Sequence, residues 1–366
     1  MSSNYELKSE GTRRVAAPEL DYRPPVPRGR RPRMGLIGCG GITEHHLKAA
    51  RSLGVEVVAF ADLNRQAAEK RRGEFYPGAE VYTDYRRLLD RTDLDVVDIA
   101  THPAVRVPII EDALRAGKHV LSQKPFVLHL ADGVRLADLA DSVGRRLAVN
   151  QNGRWAPYFS YLLQAVRTGL LGPLHSLDLT LNWDHTWCRG TPFEQIHHLV
   201  LYDFGIHWFD IVASAFAGRS VRRVFAEVAP APGQEMKPPM LAHATVGFGD
   251  GLATLSFSAH SRHGPREQIT AVGSAGTLQG SGPICGLDRL QLHTAAGESE
   301  AVLEGSWFPD GFRGTLGELL CAIEEDREPR HSARNNLPSL ALCFAALKSA
   351  DTGLPVVPET TQAGKS

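Results

Sequence analysis

Short apolar runs alternate with amphipathic segments over residues 33–150. The runs MGLIG, VEVVAFAD, AEVY, DVVDIAT, HVLSQ and RLAVNQ predict six strands, and segments between them, such as GITEHHLKAARSL and NRQAAEKRRGEF, predict helices. Strands that alternate with helices of this length indicate parallel βαβ units with right-handed crossovers. VVAF and DVVDIA are apolar at successive positions, as in strands covered on both faces. Residues 33–150 are therefore predicted to form an α/β domain with a parallel, doubly wound sheet.

The alternation stops after residue 150. One helix, PYFSYLLQAVRTGLLG, precedes LHSLDLTLNW, in which apolar residues recur at every second position. A helical stretch is predicted over residues 198–217, and six β-like runs separated by Gly and Pro turns follow it. Two helical segments, GTLGELLCAIEED and LPSLALCFAALKSAD, come last. Residues 151–355 are therefore predicted to form an α+β domain with a large, open, mainly antiparallel sheet.

The two ends of the chain lack this periodicity. Residues 1–32 contain five prolines and seven Lys or Arg residues, which predict an extended Pro/Arg-rich arm. We expect the arm to pack on its own domain or on a neighbouring subunit, rather than to bind an acidic partner through its RGRRPR run. Residues 356–366 are predicted to form a flexible tail.

Composition argues against several classes of protein. The chain has 40 Lys and Arg against 41 Asp and Glu, which is not the balance of a generally basic nucleic-acid binder. Its five cysteines form no CxxC pair, so neither a disulfide scaffold nor a Cys-rich zinc site is expected. No apolar run approaches the ~18 residues of a membrane span, and MSSNYELKSEGTRR lacks the apolar core of a secretory signal. We expect a soluble, cytoplasmic protein with no nucleic-acid or membrane partner.

The turn after the first predicted strand has the spacing of a dinucleotide-binding fingerprint. It reads Gly38-Cys39-Gly40-Gly41-Ile42-Thr43, with Thr43 where Gly or Ala is usual. Gly38 permits a tight turn and Gly40 lets the backbone approach a pyrophosphate, which the N-terminus of the next helix attracts. The turn is therefore predicted to bind a dinucleotide, and a glycine-rich turn without a ligand is the alternative.

Asp62 ends the second predicted strand, 22 residues beyond Gly40. A carboxylate at this position accepts hydrogen bonds from the adenosine ribose hydroxyls and repels a 2′-phosphate, so NAD is favoured over NADP. Arg65 could partly offset that repulsion. A role of Asp62 as a cap for the helix near Asn64 is the alternative, and the two roles can coexist.

Polar clusters follow the fourth, fifth and sixth predicted strands. They contain Thr101 and His102, Gln123 and Lys124, and Asn152 and Arg154. Ligands of doubly wound sheets bind outside the carboxyl ends of the strands, so these clusters are expected at one edge. Lys124 directly precedes a proline, which holds it on a stiff segment.

Asp203, His207 and Asp210 have the spacing of one helix face. A carboxylate beside an imidazole orients it and raises its pKa, which suits a general base near neutral pH. A buried histidine with a purely structural role is the alternative.

Residues 182–208 are rich in aromatic and polar side chains, namely Trp183, Asp184, His185, Trp187, His197 and His198. Tryptophan faces stack on sugar C–H surfaces while Asp and His bind hydroxyls, so a carbohydrate pocket is one reading. Burial of the same aromatics in a core or a subunit interface is the other.

Taken together, these segments resemble the Gfo/Idh/MocA family of glucose–fructose oxidoreductases and inositol dehydrogenases. The resemblance extends from Arg33 to about Ala350 and is carried by IGCGGIT, FADLN, DYRRLL, DVVDIAT, AGKHVLSQKPF, VNQNGRW and DFGIHWFD. It implies a Rossmann domain followed by an open-faced, mainly antiparallel domain, and NAD(P)-dependent oxidation or reduction of sugars, polyols or related compounds. It also implies that Lys124, Asp203 and His207 surround the reacting hydroxyl.

The chain departs from the family pattern at three positions. Gln123 replaces the usual Glu, His102 replaces a Pro, and Arg106 stands where many relatives have a His, which predicts altered nicotinamide-side contacts. The predicted cofactor residues are Gly38, Gly40, Gly41, Ile42, Thr43, Asp62, Thr101, His102, Arg106, Gln123, Lys124 and Asn152. The predicted substrate residues are Lys124, Arg154, Trp155, Trp183, His185, Asp203 and His207, and no metal site is predicted.

The expected reaction is hydride transfer between NAD and a sugar, polyol or glycoside. His207 takes the hydroxyl proton and Lys124 offsets the negative charge on oxygen, although Lys124 as the proton carrier stays open. Three alternatives stay open: a redox-neutral glycoside-cleaving enzyme with bound NAD, a metal-dependent hydrolase or lyase on His197, His198, Asp203 and His207, and a cofactor-sensing regulator. A homodimer or homotetramer that forms through the exposed face of the second-domain sheet is expected, because an open antiparallel sheet with one apolar face must be covered.

Overall fold

The computed structural model describes residues 13–29 and 31–359. Within them, the first part of the chain forms a parallel sheet of six strands with helices on its faces. The strands are β1 Arg33–Ile37, β2 Glu56–Ala61, β3 Glu80–Tyr82, β4 Val96–Ile99, β5 His119–Ser122 and β6 Leu147–Val149. The helices are α1 Thr43–Ser52, α2 Arg65–Phe75, α3 Tyr85–Leu89, α4 Pro103–Arg115 and α5 Leu130–Ser142. The strand order β3-β2-β1-β4-β5-β6 is that of a dinucleotide-binding Rossmann domain, so the predicted α/β fold is confirmed.

Both faces of this sheet are buried, as the apolar strands predicted. Leu36 and Ile37 are neighbours on β1, yet they belong to two separate hydrophobic clusters. Successive side chains of a strand point to opposite faces, so one cluster lies on each side of the sheet.

The rest of the chain builds a second sheet of eight strands among the described residues. Its strands are β7 Leu174–Asn182, β8 Val221–Ala229, β9 Leu241–Phe248, β10 Leu252–Ser258, β11 Arg266–Gly273, β12 Gly276–Gly282, β13 Arg289–Thr294 and β14 Gly297–Glu300. Its helices are α6 Pro157–Arg167, α7 Ile206–Ala215, α8 Trp307–Glu324 and α9 Ala333–Thr352. The order is β14-β13-β12-β11-β7-β10-β9-β8, and all pairs are antiparallel except β7 with β10, so the predicted sheet is confirmed. Across residues 13–29 and 31–359, no helix combines the length and the apolar character that a bilayer crossing needs.

The outer face of the second sheet is polar, which corrects the expectation of an apolar face. On β7 the buried positions are leucines, whereas Ser176, Asp178 and Thr180 point to the other side. On the paired strand β10, Thr254 and Ser256 continue this polar face. The face therefore supplies no apolar argument for a dimer or a tetramer.

Helix α8 joins the two parts of the chain. Its Leu316, Leu319 and Leu320 are buried in the same cluster as Met34 and Leu36 of β1. The predicted division at residue 150 thus does not separate two independent cores, because a late helix returns to cover the first sheet.

The N-terminal arm packs on its own chain. Tyr22 is buried against the ring of Tyr161, whose hydroxyl donates to the Pro18 carbonyl at 2.9 Å. Residues 1–12 of the predicted arm lie outside the described residues. Near the other end, Val356 exchanges backbone hydrogen bonds with Val224 on β8, which corrects the predicted start of a flexible tail at residue 356. Residues 360–366 also lie outside the described residues.

Candidate functional site

The turn between β1 and α1 leaves open space above the helix N-terminus. Gly38 has a φ of +88°, and a Cβ there would lie 2.9 Å from the carbonyl carbon of Ala100, so the position requires glycine. A Cβ on Gly40 or Gly41 would meet no atom of the described residues within 4 Å. Thr43 Oγ1 donates to the Gly40 carbonyl at 2.6 Å, so the residue that departs from the usual Gly or Ala closes the turn itself. Open backbone at a helix N-terminus fits the diphosphate of a dinucleotide.

Asp62 holds this turn from the end of β2. Its Oδ2 accepts from Cys39 N–H at 2.7 Å and its Oδ1 from Asn64 N–H at 2.8 Å. Asn64 caps α2 with its own side chain, so the predicted alternative of Asp62 as that cap is not needed. Arg71 on α2 donates to the Gly41 carbonyl at 3.2 Å and so stabilises the turn. No sequence motif marks Arg71, and its role was missed.

A buried polar network lies under the carboxyl ends of β4, β5 and β6. His46 Nδ1 lies 2.7 Å from Asp98 Oδ2, and its Nε2 lies 3.1 Å from Gln123 Nε2. Because an amide nitrogen only donates, Nε2 of His46 is the acceptor and Nδ1 carries the proton. Gln123 Oε1 in turn accepts from Lys124 N–H at 2.7 Å and from Asn150 Nδ2 at 3.4 Å. Gln123 was predicted to contact the cofactor. Its side-chain amide instead bonds to the backbone of Lys124 and to His46.

Arg106 stabilises the loops around β5, and its predicted contact with the nicotinamide stays a prediction. It is 1% exposed, and its guanidinium donates to the backbone carbonyls of Thr101, Gln123 and Pro125. Burial lowers the pKa of Arg106 to about 9. His102 caps α4, because its Nδ1 accepts a backbone N–H of the first turn at 3.2 Å. Thr101 and His102 both line the cavity described below.

Lys124 connects the two halves of the site. It follows β5, and its Nζ donates to the Asp203 carbonyl at 2.9 Å and lies 3.4 Å from Asp203 Oδ1. Asp203 belongs to a single π-helical turn, Val200–Phe204, which precedes α7. The Lys124 and Asp203 side chains are 18% and 19% exposed. A partly buried ion pair between the two domains thus holds the ammonium group in place.

His207 does not pair with Asp203 in the described chain, which corrects the predicted helix-face arrangement. Gly205 N–H donates to the Val200 carbonyl, five residues back, so the wider turn changes the register between Asp203 and His207. Burial, followed by the Lys124 cation, lowers the pKa of His207 well below its ordinary value, whereas an increase was predicted. The imidazole is therefore neutral at pH 7.

Arg154 and Trp155 lie away from this site, which corrects their prediction as substrate residues. Arg154 Nε and Nη2 each lie 2.6 Å from a carboxylate oxygen of Asp210, whose side chain is 1% exposed. Trp155 is 3% exposed and packs against the ring of His331. Asp210, the third member of the predicted helix face, therefore pairs with Arg154 inside the second domain.

A cavity of about 930 Å³ lies where the two domains meet. Its walls include the predicted residues Ile42, Thr101, His102, Arg106, Gln123, Lys124, Asn152, Trp183, His185, Asp203 and His207. Of the remaining predicted cofactor residues, Gly38, Gly40, Gly41 and Thr43 lie at the turn after β1, and Asp62 contacts this turn from the end of β2. The cavity thus brings together side chains that the sequence placed on strand ends, in the β7–α7 loop and on a helix.

Trp183 and His185 form the packed part of the wall on the second-domain side. Trp183 is 6% exposed and stacks on Phe204, with ring centroids 4.0 Å apart. Its Nε1–H donates to His185 Nδ1 at 3.0 Å. Burial lowers the pKa of His185 to about 4, so this imidazole is also neutral at pH 7.

Large apolar side chains from the last two helices complete the cavity. Trp307, Phe308 and Phe312 come from α8, and Phe344 and Leu347 come from α9. Sequence reasoning missed them because they lie far along the chain from the other wall residues, and no local spacing connects them.

The four side chains of the metal-site alternative do not meet. Nε2 of His197 and of His198 lie 2.7 and 2.9 Å from Asp351 Oδ1, whereas Asp203 pairs with Lys124. In the part of the chain that the structure describes, His197, His198 and Asp351 are the one group with three possible ligand atoms within 4.8 Å of one another. Of the four predicted metal ligands, His197 and His198 therefore group with Asp351, whereas Asp203 groups with Lys124.

Two family models match the chain. The GFO_IDH_MocA model, described as an oxidoreductase family with an NAD-binding Rossmann fold, matches residues 32–151. The model of the GFO/IDH/MocA C-terminal domain matches residues 159–279. Together the two matches cover more than half of the chain.

Curated relatives and solved structures are similar over most of the length. A D-apiose dehydrogenase from Paraburkholderia graminis is 26% identical over 343 residues, which cover 88% of each chain. An inositol 2-dehydrogenase from Rhizobium meliloti is 26% identical over 87% of this chain and 96% of its own. The crystal structure of an oxidoreductase from Agrobacterium radiobacter, in complex with NAD+, L-tartaric acid and magnesium, aligns with a TM-score of 0.80 over 90% of this chain and 98% of its own. At 20% identity, that likeness shows the shared fold.

Proposed function

The chain belongs to the Gfo/Idh/MocA family of oxidoreductases, and we propose that it transfers a hydride between NAD and a hydroxyl-bearing carbon of a sugar or polyol. The observation that carries this proposal is the convergence of Lys124, Asp203 and His207 in one cavity beside a dinucleotide turn. Two relatives named as an apiose dehydrogenase and an inositol dehydrogenase support the substrate class.

The residues around the turn fit a dinucleotide. Gly40 and Gly41 would leave the diphosphate room at the N-terminus of α1, and Asp62 would accept the ribose hydroxyls with its remaining lone pairs. The Asp62 carboxylate would repel a 2′-phosphate, which favours NAD over NADP. Thr101 and Asn152, on the cavity wall, would face the nicotinamide half.

Three side chains would handle the substrate oxygen. When bound, NAD supplies a hydride acceptor at C4 of the nicotinamide. His207, neutral because it is buried, would accept the hydroxyl proton. Lys124 would donate a hydrogen bond to the same oxygen and offset its developing negative charge, while Asp203 keeps the Lys124 ammonium in position.

Replacement of His207 tests this assignment. We expect His207→Ala to lower kcat by about 10²-fold or more, measured as NADH formation across a panel of sugars and polyols. His243→Ala is the matched control, because His243 is an exposed histidine on β9. Turnover by His207→Ala at the rate of the control would contradict the proposal.

Hydride transfer without a following elimination step is preferred over the other interpretations. No contact in the described site favours an elimination step after oxidation, so the redox-neutral route is not carried forward. The convergence of an ammonium, a carboxylate and a neutral imidazole favours catalysis over cofactor sensing.

A further inference from the structure

Trp187 presents an apolar surface at the edge of the cavity. Its indole is 63% exposed, whereas the other four tryptophans are at most 6% exposed. Its Nε1–H, the only polar atom of the side chain, donates to His185 Nδ1 at 3.2 Å. The exposed part of a fixed indole can therefore offer only its apolar ring to a ligand.

His185 carries an unused donor next to this ring. Its Nδ1 accepts hydrogen bonds from Nε1–H of both Trp183 and Trp187. A neutral imidazole that accepts at Nδ1 must carry its proton on Nε2. The side chain is 6% exposed and lines the cavity, yet Nε2 has no partner among residues 13–29 and 31–359. A buried donor without a partner is costly, so a ligand oxygen is the group that would satisfy it.

The wall on the Trp187 side is largely apolar. The ring centroids of Phe193 and Trp187 lie 5.6 Å apart, and Ile196, Phe344 and Leu347 also line the cavity, whereas Gln195 and His197 are the polar residues of the segment that carries Phe193. Hydroxyl groups of a polyol placed against these apolar side chains would lose water without regaining hydrogen bonds. The cavity of about 930 Å³ is near the top of the ~300–1,000 Å³ range of ligand pockets, and it would hold the nicotinamide half of the cofactor as well as the substrate.

We propose that the substrate is a sugar that carries a flat apolar substituent, as an aryl glycoside does. The sugar lies at Lys124 and His207, the apolar ring lies on Trp187, and His185 Nε2–H donates to an oxygen near their junction. This inference rests on the proposed function, because it deepens the substrate class of the same site.

Paired ligands and matched variants test the subsite. Phenyl and methyl glycosides of the same common hexoses and pentoses, in both anomers, are compared by calorimetric binding in the presence of NADH and by kcat/KM with NAD+. We expect the wild type to favour at least one phenyl glycoside over its methyl partner by about 10-fold or more. Trp187→Ala should reduce that ratio toward one, and Trp187→Phe should retain most of it because a ring remains. Phe308 is an exposed aromatic residue of the same cavity on α8, and Phe308→Ala should change the binding and kcat/KM of the phenyl and the methyl glycoside by the same factor.

The possible outcomes separate this inference from the proposed function. Equal binding of phenyl and methyl partners, no binding of any phenyl glycoside, or an unchanged ratio in Trp187→Ala would overturn the subsite. A change of oligomeric state in Trp187→Ala, seen by light scattering, would also overturn it, because a second copy would then cover the ring. Preferential phenyl binding without NAD+ reduction would support the subsite and overturn the proposed hydride transfer.

Discussion

Lys124→Met removes the ammonium group from the site and keeps most of the side-chain volume. In the wild type, Nζ lies 2.9 Å from the Asp203 carbonyl and 3.4 Å from its carboxylate, so the variant breaks the contact between the domains and removes the donor to the substrate oxygen. Loss of one such donor lowers kcat by about 10²–10³-fold in other enzymes, and we expect a loss of that size.

The same variant should change the pH dependence. After burial, the Lys124 cation is the second cause of the lowered pKa of His207. A general base works when unprotonated, so the acid limb of kcat/KM should lie well below pH 6.5 in the wild type. Without the cation the pKa of His207 should rise, but burial should keep it below 6.5, so the limb should move upward only in part.

Lys118→Met is the matched control. Lys118 is another lysine of the first domain, and its Nζ donates to the carbonyls of Arg91 and Leu94 at 2.7 and 2.8 Å. Its loss should lower thermal stability without moving the acid limb. Steady-state rates from pH 4.5 to 9 measure both variants. A Lys124→Met enzyme with kcat within about threefold of wild type and an unmoved limb would refute this electrostatic reasoning.

Three further predictions concern cofactor choice and stability. We expect the wild type to prefer NAD+ over NADP+ by about 1–3 kcal/mol in kcat/KM, and Asp62→Ser should reduce this preference. Equal wild-type kcat/KM values for the two cofactors would show that Asp62 only shapes the turn. Arg154→Met leaves Asp210 buried without its main partner and should lower the free energy of unfolding by about 3–5 kcal/mol in denaturant titrations; an unchanged midpoint would be inconsistent with that role. Thermal stability should decrease as the pH falls from 6.5 toward 4, because five histidines with lowered pKa take up protons on unfolding. Each is worth up to about 1.4 kcal/mol per pH unit, while Glu267, whose pKa burial raises to about 7, offsets one of them. The five are His45, His119, His185, His207 and His331. A melting temperature that is flat over this range would contradict this prediction.

The fold was largely predictable because its signals are local. Each strand of the first sheet is a short apolar run next to a turn, and the order of the runs leaves few topologies for a parallel sheet. The rule that ligands bind at the carboxyl ends of strands also placed Lys124 correctly on the cavity wall. The strand β14, Gly297–Glu300, was missed because it is short and polar.

The site was less predictable in two situations. In one, a single extra residue changes the geometry of a helix, and in the other, the role of a side chain depends on a partner that lies far away in the sequence. The π-helical turn before α7 adds one residue and removes the expected contact between Asp203 and His207. Arg154 has the residue type and the strand-end position of a substrate contact. Its Nε and Nη2, however, pair with the carboxylate of Asp210, which lies far along the chain. Burial, which decides the charge of His207, cannot be read from the identity of its neighbours in sequence.

The most direct test of hydride transfer follows a labelled hydrogen. A sugar or polyol that the enzyme oxidises is prepared with deuterium on its reacting carbinol carbon, and the reduced cofactor is analysed by mass spectrometry. We predict one deuterium per NADH formed by the wild type, and a rate lower by about 10²-fold or more with the same labelling for His207→Ala. Substrate consumption without labelled NADH, or the absence of any oxidised sugar or polyol, would contradict the account.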